Sequence, residues 1–189
     1  MTITTLRRHV ATSPTPPSTP RLRMEPTGSR RTLLDGGWWP RSTDPVAELP
    51  GLVLAIDHLR GPVNRLVLSA HGWDSKPRRL RVADRVLRLG YFTSQPINLV
   101  TALCDNGDRV DLLVVAPGTE PGTADAALTL AATTGNLVHA QHILGHLSTL
   151  PHPAPADTGH DVWEDDGGPL AATPAPFLTD VRRTMAAAS

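Results

Sequence analysis

The segment ALCDNGDRVDL, residues 102–112, sets the kind of sheet this chain builds. Asn106-Gly107 stands between two apolar runs. Asn-Gly in that setting is a strong hairpin signal, because a type I′ turn needs positive φ at both central residues. So short a link joins antiparallel neighbours only, since a parallel pair needs a crossover of a dozen or more residues. Outward from this turn, the runs at 98–105 and 109–117 form the hairpin arms. Residues 63–73, 78–84 and 85–92 alternate as further strands, with a tight connection at Ala83-Asp84. Upstream, RLRMEP (21–26) alternates, and RRTLLDGGWWP (30–40) carries a strand signal broken by Gly36-Gly37.

The period changes at DPVAELPGLVLAIDHLRG. Asp44 is placed as an N-cap, Pro45 as the first helical residue and Gly61 as the stop. Val46, Leu49, Val53, Ile56 and Leu59 recur at helical spacing, and Pro50 is expected to kink or divide the helix. The segment TADAALTLAATTGNLVHAQHILGHL reads as one helix broken at Thr134-Gly135-Asn136, or as two. The resulting fold class is α+β: an antiparallel sheet of about six strands, packed on one face by two helical segments. Such a sheet lacks the parallel switch point where nucleotides usually bind.

The 189 residues allow one domain with flanking segments. Residues 1–20 are rich in Thr, Ser and Pro, and residues 149–189 in Pro, Ala and acids. Both are expected to be disordered tails around a single domain at 21–148. Basic and acidic residues balance at 18 each, which argues against a nucleic-acid partner. No apolar run approaches the roughly 20 residues that span a bilayer. Arg7-Arg8 is followed by HVATSPTPPSTP where an export signal needs an apolar stretch. The lone cysteine, Cys104, fits a reducing compartment. These features together place the chain in the cytoplasm, away from membranes.

Trp38 and Trp39 are adjacent in a chain with few aromatic residues. On a strand they point to opposite faces, so one enters the core while the other meets solvent or a ligand. Arg41 has the fork that suits a carboxylate or phosphate. The candidate binding residues are therefore Asp35, Trp38, Trp39, Arg41 and Ser42 with Trp73 and Asp74, unless the tryptophans are simply core. His139, His142 and His146 fall on one helix side and suit a zinc ion, but the HExxH glutamate is absent and a solvated face is the simpler reading. The basic run KPRRLRVADRVLR (76–88) has Arg79, Arg81, Arg85 and Arg88, which would not all share one face. It carries no aromatic residue on which a base could stack. Ser69, His71 and Asp74 are close in sequence, but triads are built from distant segments, and Cys104 sits in an apolar strand pattern.

The motifs DGGWWPRS (35–42), WDSKPRRL (73–80) and LLVVAP (112–117) resemble those of a family of small actinobacterial proteins of unknown function, which share D-G-x-W-W-P-R-S, W-D-x-x-P-R-R-L and L-L-V-V-x-P. The resemblance covers roughly residues 21–145 and implies no activity. From the residues themselves, the chain reads as a small non-catalytic binding or regulatory domain with a Trp/Arg surface. It takes an unidentified ligand or protein partner and calls for no metal or cofactor. The alternative is a small hydrolase-like enzyme using Ser69, His71 and Asp74 or a His-bound metal.

Overall fold

The computed structural model describes residues 9–28 and 32–149. Expectations for 150–189 fall outside the described residues. The strands are β1 (Ala11–Thr12), β2 (Arg21–Met24), β3 (Gly36–Trp39), β4 (Val63–Ser69), β5 (Arg79–Val82), β6 (Arg85–Phe92), β7 (Leu99–Cys104) and β8 (Arg109–Val114). The helices are α1 (Pro45–Arg60), α2 (Pro121–Ala131) and α3 (Ala140–Thr149).

The fold is α+β, as the sequence implies, but the sheet is mixed and has eight strands in the order β1-β5-β6-β4-β7-β8-β3-β2. The expected six-strand antiparallel sheet needs correction for a physical reason. Short loops do make β5–β6 and β7–β8 antiparallel. Strands that are not consecutive in sequence are free of that constraint, and β1–β5, β4–β6 and β3–β8 pair in parallel. Part of the N-terminal segment read as a tail also carries sheet pairing, through Ala11 and Thr12 against Leu80 and Arg81.

Helices lie on both faces rather than one. Leu49, Leu52, Val53 and Ile56 of α1 are buried with Trp38, Leu66, Leu68, Leu80, Leu87 and Leu112. The next residue along β8, Leu113, belongs instead to a second core with Ala124, Ala127, Leu128 and Ala131 of α2 and Ile143 of α3. Strand alternation thus feeds two cores from one strand. The second helical region is two helices, with Gly135 at φ +77 in the break.

Asp44 caps α1 by accepting from the Val46 N–H at 2.9 Å, and Gly61 ends it at φ +98. Pro50 does not divide the helix. Its missing N–H forfeits a bond, but the completely buried Leu49, Leu52, Val53 and Ile56 hold the helix against the sheet. Its neighbour Gly51 has a use: a Cβ there would lie 2.2 Å from the Ser18 carbonyl oxygen, so glycine lets the N-terminal segment cross the helix.

The 104–109 hairpin is present with its turn displaced by one residue. The Gly107 N–H donates to Cys104 O at 3.1 Å and the Cys104 N–H to Asp108 O at 2.9 Å. Gly107 is at φ +85, while Asn106 is not at positive φ. This is a three-residue loop with glycine in the left-handed position, not a type I′ turn. Asn106 acts through its side chain, which accepts from the Asp108 N–H and donates to Arg60 O.

Candidate functional site

The two tryptophans separate as strand alternation requires. Trp38 is 1% exposed and lies in the α1 core. Its ring stacks on half-buried Trp73, with centroids 6.1 Å apart and planes 18° apart. Trp39 turns to the α2 side, where its Nε1–H donates to Ala116 O at 3.1 Å and the Arg21 guanidinium covers the ring at 3.5 Å. Burial first, and then the neighbouring Arg41, lower the Arg21 pKa, while Glu48 raises it. The glycines before them serve packing. A Cβ on Gly36 would meet Arg23 O of β2 at 2.2 Å, and one on Gly37 would meet Leu128 of α2 at 2.9 Å.

The remaining candidates are held by internal partners. Arg41 donates to Thr19 O at 2.9 Å and reaches Ser18 Oγ at 3.4 Å. Ser42 Oγ donates to Glu48 Oε1 at 3.0 Å. Asp74 accepts from Thr43 Oγ1 at 2.8 Å. Asp35 precedes β3, whereas Pro40, Arg41 and Ser42 follow it; its Oδ2 accepts from the Asp111 N–H at 2.8 Å. Asp35 lines a depression of about 300 Å³ with Arg60, Asp108, Arg109 and Asp111. Burial pushes its carboxyl pKa up, and the Asp111 N–H works against that shift. Trp38, Trp73, Ser42 and Asp74 come together around the start of α1, and Asp35 is not among the groups they contact.

The catalytic alternatives find little geometry. Ser69 is 2% exposed, and its Oγ accepts from the backbone N–H of His71 at 3.2 Å. Asp74 is engaged by Thr43 rather than by His71. The rings of His139 and His142 meet edge to face with centroids 6.1 Å apart. Among the described residues, no three His, Cys, Asp or Glu side chains gather as metal ligands. Burial, reinforced by Asp108, Asp57 and Asp105, raises the pKa of the buried Cys104 thiol, which disfavours the reactive thiolate.

A different surface emerges on the side of β4, β6 and β5 away from α1. Arg88 of β6 is in register with Arg79 of β5 and with Arg65 of β4. Directly paired residues point to the same side, so three guanidinium groups arise in one row about 10 Å across. Arg81, two residues beyond Arg79, shares that side, and Arg78 joins the row at its edge. Arg65, Arg78, Arg79 and Arg88 line a depression of about 460 Å³ with Gly90 and Phe92. Arg65 and Arg88 also line an adjoining one of about 330 Å³. Arg85 points the other way and pairs with Asp57 of α1.

The sequence reading missed this row through parity. Alternation along one continuous strand separates Arg79 from Arg88. The two-residue loop at Ala83-Asp84 pairs Val82 with Arg85, and that pairing returns Arg79 and Arg88 to one face. Among the described residues, no guanidinium group of Arg65, Arg78, Arg79, Arg81 and Arg88 has a hydrogen-bond or ion-pair partner; their bonds are backbone ones, such as Leu89 N–H to Arg78 O at 3.0 Å. By contrast, Arg21 and Arg23 on the α2 side are held by Trp39 and by Asp125 with Thr129, and Arg60 and Arg109 by Glu25 O and Asp111. On the arginine side, Asp111 of β8 is committed to Arg109 and Thr101.

A family model described as a family of unknown function (DUF5994) matches residues 21–131. That span contains α1, α2, strands β2 to β8 and the whole arginine row. No curated protein and no solved structure matches the chain.

Proposed function

The chain belongs to the DUF5994 family of unknown function, and on that footing we propose that it is a non-catalytic binding domain whose ligand carries several negative charges. The observation that carries this reading is the registered row Arg65–Arg88–Arg79. Like charges placed directly opposite on a sheet repel, and among the described residues these three guanidinium groups have neither a covering helix nor a carboxylate partner. A multivalent anion relieves the repulsion, and forked guanidinium groups suit phosphate or carboxylate oxygens.

The domain proposed for this role is the single α+β unit at 21–148, joined by the strand Ala11–Thr12 from the preceding segment, with residues 149–189 following it, acting in a reducing cytoplasm. Among the described residues no helix is long and apolar enough to cross a membrane. The Trp/Arg segment then serves as the scaffold that joins β3, α1 and the 70–74 loop.

Inorganic polyphosphate is a suitable probe, titrated calorimetrically into the full chain. Binding should weaken steeply with salt and be lost when Arg65, Arg79 and Arg88 are replaced together by Ser with circular dichroism unchanged. Arg41→Ala and Trp39→Ala serve as comparisons and should leave binding intact. If those two abolish binding and the triple replacement does not, the ligand belongs on the Trp/Arg segment instead.

A further inference from the structure

We propose that the anion taken by this face is single-stranded nucleic acid, read through phosphates by the arginine row and through one base by Phe92. The inference rests on the anion-surface reading above and adds a stacking platform to it. Phe92 is 50% exposed although it is a large apolar side chain. It lies two residues beyond Gly90 and four beyond Arg88, hence on the same side of β6. A Cβ on Gly90 would come within 2.8 Å of Phe92 Cε2 and 3.4 Å of Cζ. The glycine therefore lets the ring lie over the strand instead of standing away from it.

An aromatic ring resting on an open sheet beside unpaired arginines is the arrangement with which sheets hold unpaired bases. The ring stacks a base of any identity while the cations follow the backbone. Along β6, Arg88 and Phe92 are about 13 Å apart, so one short strand segment spans both. A duplex fits poorly, because its bases are already stacked on one another and, among the described residues, this face presents no helix or ribbon to enter a groove. An acidic peptide would satisfy the arginines and leave Phe92 unexplained. The chain's zero net charge does not oppose the idea. Asp157, Asp161, Glu164, Asp165 and Asp166 lie beyond the family-matched region, and the acids within it are absent from the arginine row.

The test uses the full chain and a labelled deoxythymidine oligomer of about 15 nucleotides, within the site sizes typical of such platforms. Anisotropy is read at low salt, with polyphosphate of similar length and a duplex of the same length as comparison probes. The oligomer should bind in preference to the duplex. Phe92→Ala should weaken the oligomer about tenfold and leave polyphosphate affinity unchanged, while Phe92→Trp should retain both. Replacing Arg65, Arg79 and Arg88 should lower the salt slope by about 2 for a single strand. If polyphosphate binds but Phe92→Ala does not alter oligomer affinity, or if the duplex binds as tightly, the nucleic-acid inference is overturned and the anion surface stands. If neither probe binds, the anion-surface reading itself fails.

Discussion

Removing the Trp38 ring should cost this fold more than any other single truncation in the WWPRS segment. A buried tryptophan withdraws roughly 150–250 Å² from water. At about 25 cal/mol per Å² that is about 4–6 kcal/mol, comparable with the 3–5 kcal/mol typical of large aromatic-to-alanine changes. Trp38 is 1% exposed, so nearly the full amount applies, and its stack on Trp73 is lost as well. A domain stable by about 5–15 kcal/mol would be left marginal. Trp39 is half-buried, so its truncation loses about half the burial term and one hydrogen bond to Ala116, about 3–4 kcal/mol in all. The two variants, with Trp73→Ala and the Trp38/Trp73 double variant, should be compared by urea denaturation followed by circular dichroism. The double-mutant cycle should return a coupling of about 0.5–1.5 kcal/mol for the stacked pair. Equal losses for Trp38→Ala and Trp39→Ala, or zero coupling between Trp38 and Trp73, would refute the assignment of Trp38 to the core.

The two hairpin loops make opposite predictions. Gly107 is at φ +85 with open space around it, so Gly107→Val should lower stability by about 1–2 kcal/mol through backbone strain alone. Ala83 is the one described non-glycine residue at positive φ, +48, and Ala83→Gly should leave the urea midpoint unchanged or raise it, by up to about 1 kcal/mol. A clear loss on Ala83→Gly would mean that the β5–β6 turn is not strained. Asp35 supplies a pH signature. Burial raises its folded pKa, so the native state binds that proton more tightly than the unfolded chain, and stability falls as pH rises from about 4 through the shifted value. Asp35→Asn keeps an oxygen for the Asp111 N–H, so its stability should gain on the wild type across that window; a constant difference from pH about 3.5 to 7 would show that Asp35 is not the group responsible.

Local chemistry was legible in the amino-acid order. Asp44-Pro45 and Gly61 delimited α1, alternation gave the strand segments from 21 to 117, and the α/β mixture followed from their order. These signals act over a few residues: a side-chain oxygen reaches an N–H two positions on, and a pleat reverses sides every residue. The opposite facing of Trp38 and Trp39 belongs to the same class and needed only the period of a strand. Partnerships across the sheet were decided elsewhere. Nothing near Val63 states that β4 will lie parallel to β6, and nothing near Pro50 states that burial of Leu49 and Ile56 will carry a helix through it. The arginine row depends on two such long-range facts, the Val82–Arg85 register and the β4–β6 pairing. Composition hid it further, because net charge sums over the chain, whereas a ligand meets only the charges that the tertiary structure places side by side.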